Sequence, residues 1–155
     1  MSGIFTQNFD FLCSHWEEKS VSLNDIFSYN DKTILYFYPK DNTPGCTVEA
    51  KDFTCLKKEF EKLWVWIVGV SKDSIDSHKN FLDKQNLDID LISDSDLVLH
   101  KHFSAYGEKN NYGKIVMWVI RSTFLIDRSW NIIKDWKNVR AKWHAKRVFE
   151  ELKNS

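Results

Sequence analysis

The sequence lacks a long apolar run, a net charge and a pair of closely spaced cysteines. No apolar stretch approaches the roughly 20 residues that a membrane-spanning helix needs. The formal net charge is +0, so no overall field draws nucleic acid or an anionic membrane, and neither is expected as a partner. The three cysteines, Cys13, Cys46 and Cys55, form no CxxC pair. This spacing argues against a disulfide framework, a thioredoxin-type dithiol and a zinc site.

Length and composition predict one folded domain that spans residues 1–155. A chain of 155 residues is long enough to bury a self-sufficient core. Its 43% hydrophobic and 28% charged residues argue against disorder, and it has neither an internal repeat nor a linker. The first residues carry no basic region followed by an apolar one. We therefore expect no secretory signal and a cytoplasmic location, where thiols stay reduced.

Strand-like and helix-like segments alternate along the chain. A half-buried strand is predicted at 8–12, with a polar turn at 15–19 and a hairpin partner at 21–23. Ser22 or Asn24 is the candidate N-cap of a short helical turn. Further strands are predicted at 33–38, 63–70, 90–92, 116–127 and 132–136, helices at 47–63, 74–86, 95–101 and 143–152, and a polar loop at 103–113. This alternation predicts an α/β fold whose central mixed sheet is flanked by helices and preceded by an N-terminal β-hairpin.

The most informative stretch joins a buried strand to a helix that begins near Cys46. An apolar run at 33–38 leads into a turn rich in Pro, Asp, Asn and Gly, and Cys46 follows at the head of the predicted helix. The partial positive charge and free N–H groups of a helix N-terminus favour a thiolate over a thiol. A cation is expected nearby. Lys40 and Lys51 are the local candidates, and Arg121 is a distant one, because an arginine inside an apolar strand pattern needs an anionic partner.

Two neighbours of Cys46 suit a small polar substrate. Thr43 supplies a hydroxyl three residues earlier, and Gly45 lets a substrate approach the backbone N–H groups closely. A thiolate, a fixed hydroxyl, an arginine and helix N–H donors together suit a substrate whose leaving oxygen gains negative charge. A peroxide fits that description.

Residues 38–50, YPKDNTPGCTVEA, resemble the active-site signature of peroxiredoxins. More narrowly, they resemble the bacterioferritin-comigratory protein (peroxiredoxin Q) group, and four later segments follow in the family's order: 68–74, 91–94, 106–109 and 121–127. The resemblance implies a thioredoxin-like fold and an antioxidant enzyme, a thioredoxin-dependent thiol peroxidase that reduces hydrogen peroxide and organic hydroperoxides. It implies no cofactor and no metal.

The resemblance also assigns roles to individual residues. Cys46 would be the peroxidatic cysteine, which attacks a peroxide oxygen and becomes a sulfenic acid. Thr43 and Arg121 would orient the peroxide and stabilise the transition state. Pro39 would shield the pocket. Glu49 matches an acidic position of the group and would be the partner of the site cation, although a carboxylate in a first helical turn can also serve only the helix dipole.

The chain departs from the family at the resolving cysteine. Many members of the group carry it five residues after the peroxidatic cysteine, where this chain has Lys51, and others carry it in a segment that here corresponds to 77–85 and contains none. Cys55 falls on the opposite helix face, and Cys13 is interpreted as a buried small hydrophobe on an early strand. We therefore predict a single-cysteine mechanism, with an external thiol such as thioredoxin as reductant. The resemblance implies a monomer or weak homodimer. Whether Cys55 or Cys13 ever resolves the sulfenic acid is left open.

Two alternative functions are weighed against a peroxidase. A thiol-disulfide oxidoreductase is disfavoured by the missing CxxC pair. A peroxide-sensing switch or holdase, in which oxidation of Cys46 alters a partner surface, would show little turnover. The histidines lack metal-ligand spacing and are interpreted as surface residues: His78, His100, His102 and His144.

Tryptophan is unusually common and glycine unusually rare, with seven of the former and five of the latter. Five tryptophans stand where sequences of the resembled family usually have glycine: Trp16, Trp64, Trp118, Trp130 and Trp143. One hypothesis is that UGA codons, which some bacterial lineages read as glycine, were translated as tryptophan. UGG codons at these positions would rule it out.

Overall fold

Nine strands and five α-helices make up the part of the chain that this computed structural model describes, residues 3–14 and 16–154. A short 3-10 helix, Gly3–Phe5, precedes them. The strands are β1 (Asn8–Leu12), β2 (Glu18–Ser22), β3 (Lys32–Phe37), β4 (Val65–Ser71), β5 (Asp90–Ser93), β6 (Tyr106–Asn111), β7 (Lys114–Val119), β8 (Ser122–Asp127) and β9 (Ile132–Trp136). The helices are α1 (Leu23–Tyr29), α2 (Pro44–Lys62), α3 (Ile75–Gln85), α4 (Val98–His102) and α5 (His144–Lys153).

Seven of the strands form one mixed sheet in the order β2-β1-β5-β4-β3-β8-β9. The central strands β5, β4 and β3 are parallel, whereas the N-terminal β1–β2 hairpin and the β8 and β9 strands pair antiparallel. The predicted central mixed sheet, flanking helices and N-terminal hairpin are therefore confirmed. No helix in the described residues is both long enough and apolar enough to cross a membrane.

The central strand β3 is buried on both faces, which explains why its sequence is apolar nearly throughout. Ile34 and Tyr36 point into a cluster built with α2, α3 and α5. Leu35 and Phe37 point the other way, into a second cluster built with α1 and α4. Side chains alternate between the two faces because successive residues of a strand point to opposite sides. The sheet therefore separates two apolar layers, and β3 connects both to the turn that precedes α2.

The region before β8 differs most from the prediction. Residues 103–113, predicted as a loop, contain β6, and the single strand predicted at 116–127 is two strands. β7 pairs with β6 in a separate two-stranded hairpin, whereas β8 joins the main sheet. The break falls at Ile120 and Arg121, where the Ile120 amide donates to the Ala105 carbonyl and the Val139 amide donates to the Arg121 carbonyl. Arg121 therefore lies in the connection between two strands and not inside one.

Several helix and strand boundaries also differ from the prediction. Ser22, one of the two predicted candidates, is the N-cap of α1, and it forms a capping box with Asp25. Glu18 and Lys19, predicted in a turn, belong to β2. The helix predicted from residue 47 begins at Pro44, and α4 is shorter than predicted. His15, in the same predicted turn, lies outside the described residues.

The prediction that the histidines are surface residues is wrong for three of the four. His78, His100 and His144 are fully buried, and only His102 is exposed. His78 and His100 each place Nδ1 2.7 Å from a buried aspartate. His144 lies 2.7 Å from the Thr123 hydroxyl, and burial, with the charges of Arg147 and Arg121, lowers its pKa to about 4.

Four of the five anomalous tryptophans have a left-handed backbone: Trp16 (φ 71), Trp64 (φ 62), Trp130 (φ 70) and Trp143 (φ 66). Bulky side chains rarely adopt this conformation, which glycine adopts without strain. Trp64 directly follows the C-cap of α2 and is 71% exposed, in a position that glycine commonly fills. Trp118 is different, because it lies within β7. The backbone thus favours glycine at four of the five positions.

Replacing Trp64 by glycine is expected to raise the free energy of unfolding by about 1 kcal/mol, because it removes the left-handed strain of a bulky residue. The matched control is Trp118→Gly, which should lower it, since glycine weakens a strand interior. Urea unfolding of both variants measures the difference. A Trp64→Gly variant no more stable than the parent protein would contradict this account of the strain.

Candidate active site

Cys46 lies in the first turn of α2, directly beyond the carboxyl end of β3. Thr43 is the N-cap with an extended backbone, and Pro44 occupies the first helical position, where its missing N–H costs nothing. Cys46 is then the third residue of the helix, and its side chain is 1% exposed. The first-turn N–H groups have no partner within the helix, so the thiol lies where the backbone favours negative charge.

Arg121 contacts two acidic groups of the same helix. Its NH1 nitrogen donates to Oε1 of Glu49 at 2.6 Å, and its NH2 nitrogen donates to Sγ of Cys46 at 3.5 Å. Cys46 and Glu49 are three residues apart and therefore share one face of α2. The planar guanidinium reaches both with separate nitrogens, which a lysine ammonium does less well.

Gly45 lets this arginine approach the helix. A Cβ atom at position 45 would lie 3.2 Å from NH2 of Arg121 and 3.6 Å from Cβ of Ala141. The first contact is tighter than ordinary packing, so a larger residue would press the guanidinium away from Cys46. Glycine at this position therefore has a local steric reason.

Burial and charge act against each other at this site. Burial raises the pKa of the Glu49 carboxyl to about 7, although the charge and hydrogen bond of Arg121 pull it down. Burial by itself lowers the pKa of Arg121, but the charges of Glu49 and Cys46 outweigh it and the net shift is upward. Within the described residues, Oε2 of Glu49 has no hydrogen-bond partner. Arg121 is thus the group that compensates this buried carboxyl.

The remaining predicted site residues line a cleft of about 360 Å³ that opens onto Cys46. Thr43 is half-buried there, and its hydroxyl donates to the Lys40 carbonyl at 2.8 Å. The lining residues are Pro39, Lys40, Thr43, Gly45, Cys46, Lys72, Tyr106, Met117, Trp118, Val119 and Arg121. Glu49 is not among them, and it is fully buried against Arg121. Lys51, a candidate cation, is exposed and does not line the cleft.

One wall of the cleft was missed by the sequence prediction. Tyr106 begins β6, and Met117, Trp118 and Val119 end β7, so the separate hairpin supplies an apolar side to the site. The apolar run of β7 indicates a strand, but nothing in the sequence places it beside Cys46. The cleft therefore combines a polar side from the α2 turn with an apolar side from the hairpin.

The other two cysteines are not brought to Cys46. Cys55 is exposed on α2, nine residues further along, which places it on the opposite face and roughly 13 Å along the helix axis. Cys13 follows β1, not within it as predicted, and is half-buried against the apolar layer on the other side of the sheet from Cys46. Burial, chiefly, raises the pKa of its thiol.

Comparison with known proteins identifies the family. The model of the AhpC/TSA family matches residues 5–135. A putative peroxiredoxin bcp of Helicobacter pylori is 44% identical over 143 residues, which are 92% of this chain and 93% of that protein. Peroxiredoxin Bcp of Bacillus subtilis is 43% identical over 137 residues, 88% of this chain and 85% of that protein.

Solved structures agree in fold. A structure of the Xanthomonas campestris bacterioferritin comigratory protein, described for its alkyl peroxide reduction activity, has a TM-score of 0.87 at 38% identity. The match covers 98% of this chain and 93% of that one, and it confirms the thioredoxin-like peroxiredoxin fold expected from the sequence. The chain therefore belongs to the AhpC/TSA family, within its Bcp/peroxiredoxin Q group, and is a peroxide-reducing oxidoreductase.

Proposed function

We propose that Cys46 is the peroxidatic cysteine of a single-cysteine thiol peroxidase that acts on hydrogen peroxide and organic hydroperoxides. The observation that carries the proposal is the guanidinium of Arg121, which donates to Sγ of Cys46 in the first turn of α2. A buried thiolate is costly without a cation, and here the cation and the helix N-terminus both compensate it. The cleft gives a peroxide a path to the sulfur.

In the first half-reaction the thiolate of Cys46 attacks one peroxide oxygen, and the O–O bond breaks. Sulfur is oxidised to sulfenic acid, and the second oxygen leaves as water or an alcohol after taking a proton. Arg121 donates hydrogen bonds where negative charge develops on the two oxygens. The Thr43 hydroxyl, whose proton is directed to the Lys40 carbonyl, keeps its oxygen lone pairs available to accept the peroxide O–H. Pro39 limits access of water.

In the second half-reaction an external thiol, of which thioredoxin is one candidate, reduces the sulfenic acid. The first thiol forms a mixed disulfide with Cys46 and releases water, and a second thiol displaces Cys46 as a thiolate. The separation of Cys13 and Cys55 from Cys46 supports an external partner. Resolution by either cysteine would need α2 to unwind or the sheet to open.

A single domain accounts for all of this arrangement. The two apolar layers lie on opposite faces of one sheet, and residues from the β3–α2 turn, α2 and the β7–β8 connection meet at the cleft. We therefore treat the whole chain as one catalytic unit.

Cysteine variants test the catalytic assignment. Cys46→Ser should abolish peroxide consumption with an excess of thioredoxin, its reductase and NADPH. The double variant Cys13→Ser/Cys55→Ser should turn over at the rate of the parent protein, because neither sulfur lies near the cleft. Unchanged turnover of Cys46→Ser would defeat the proposal. If each chain consumes one peroxide and then stops, both with thioredoxin and with small thiols as the reductant, the result would favour the redox switch or holdase.

Replacing Glu49 by glutamine tests the buried ion pair through stability. The Glu49 pKa of about 7 lies above its usual 4.5, so the folded state holds the proton more tightly than the unfolded state. The contribution of Glu49 to the free energy of unfolding should therefore fall as pH rises from 4.5 to 7, by about 3 kcal/mol at roughly 1.4 kcal/mol per unit. His144, whose pKa is lowered to about 4, contributes an opposite change in parent and variant alike. Urea unfolding at several pH values should show that the stability of the parent protein relative to Glu49→Gln falls by this amount over the range.

The exposed Glu59, which pairs with Lys62 on the surface, provides the control. Glu59→Gln should show the same dependence of stability on pH as the parent protein between pH 4.5 and 7. If Glu49→Gln also has the pH dependence of the parent protein over this range, Glu49 is not the titrating group.

A further inference from the structure

A buried contact between Asp41 and His78 holds the turn between β3 and α2 from outside the site. Asp41, in the middle of that turn, is 5% exposed. Its Oδ1 accepts from the hydroxyl of Tyr38 at 2.6 Å, and its Oδ2 accepts from the hydroxyl of Ser77 at 2.8 Å. Nδ1 of His78 lies 2.7 Å from the same Oδ2. Two hydroxyl donors and a ring nitrogen therefore surround one buried carboxylate.

His78 has an acceptor on each side of its ring. Nδ1 faces the Asp41 carboxylate, and Nε2 lies 3.0 Å from the carbonyl of Ile92 in β5. Each ring nitrogen thus faces one hydrogen-bond acceptor. His78 therefore bridges α3, the sheet and the turn through its two ring nitrogens.

Two further contacts connect the same turn to its surroundings. The Asp41 amide donates to Oδ2 of Asp73 at 2.9 Å, just before α3. Nε2 of Gln85, at the end of α3, donates to Oδ1 of Asn42 at 3.3 Å. Asn42 itself has a left-handed backbone, with φ 60. The turn is thus held at both ends of α3, and the contact between Asp41 and His78 is buried.

The turn between β3 and α2 positions two residues of the cleft. Pro39 lies between Tyr38 and Asp41, and the Lys40 carbonyl accepts the hydroxyl proton of Thr43. A shift of Asp41 would move that carbonyl and so redirect the Thr43 oxygen. Displacements of about 1 Å at a reacting group can cost on the order of 100-fold in rate. Cys46 and Arg121 are held separately, by α2 and the β7–β8 connection.

We propose that His78 is a positioning residue for the peroxide reaction, which acts through Asp41 on Thr43 and Pro39 without touching the reacting atoms. The inference rests on the proposed role of Cys46. It predicts a specific loss, because reaction with peroxide needs the turn, whereas reaction of the Cys46 thiolate with an alkylating agent does not.

The test compares two rate constants of Cys46 in the same variant. His78→Phe keeps a ring but removes both donors, and it should lower the rate constant with hydrogen peroxide roughly 10- to 100-fold. The rate constant with iodoacetamide should change less than about twofold, since Arg121 and the helix N-terminus are untouched. His78→Asn, whose amide can donate to Asp41 from the Nδ1 position, should recover most of the peroxide rate.

His100 is the matched control. It is equally buried and lies 2.7 Å from Oδ2 of Asp94, but its partner is not in the turn. His100→Phe should destabilise the fold without changing the ratio of the two rate constants. If His78→Phe does not fold, Ser77→Ala/Gln85→Ala loosens the same turn without stranding a buried charge, and it should lower the ratio in the same direction.

The outcomes separate this inference from the proposed function. A parent protein whose Cys46 does not react with peroxide refutes both. If the parent protein reacts with peroxide but His78→Phe leaves the ratio of the two rate constants unchanged, only the role of His78 is refuted. The same holds for the double variant if His78→Phe does not fold. A ratio lowered equally in His100→Phe also refutes it, because general loosening of the fold would then explain the effect.

Discussion

The guanidinium of Arg121 is the interaction on which the site depends. It donates to Glu49 and Cys46 with separate nitrogens, so it compensates two acidic groups of α2 that burial would otherwise make costly. The two partners share a helix face because they are three residues apart, and Gly45 leaves room for the guanidinium to reach them. Removing any one of these features would leave a buried charge without compensation.

The fold brings the parts of this site together from distant segments. β3 ends at the turn that carries Thr43, and Cys46 lies in the first helical turn of α2. Arg121 lies in the break between β7 and β8. Because β3 is buried between two apolar layers, the start of the turn is fixed by the core. The turn's far side is fixed by polar contacts to α3, chiefly those of Asp41 and His78. Apolar packing and a buried polar network therefore control different halves of the same loop.

Local patterns were enough to predict the central sheet and the position of Cys46 at a helix start. The apolar run of β3 and the Pro-Gly turn before Cys46 each depend on neighbouring residues alone. The hairpin β6–β7 was missed because β6 is polar and mostly exposed, so it has no alternating signal. The burial of His78 was missed because its partner, Asp41, is 37 residues away. Its spacing from Phe81 and Leu82, both buried on α3, was the available signal.

The central claim is that one cation-paired thiolate performs the chemistry and has no sulfur partner in its own chain. Trapping the oxidised sulfur tests it most directly. The protein is treated with one equivalent of hydrogen peroxide in the presence of dimedone, which labels sulfenic acids, and is then digested without reduction for mass spectrometry. One dimedone adduct is expected, on Cys46, with Cys13 and Cys55 unmodified. A quantitative intramolecular disulfide between Cys46 and either of them, or an adduct only on another cysteine, would contradict it.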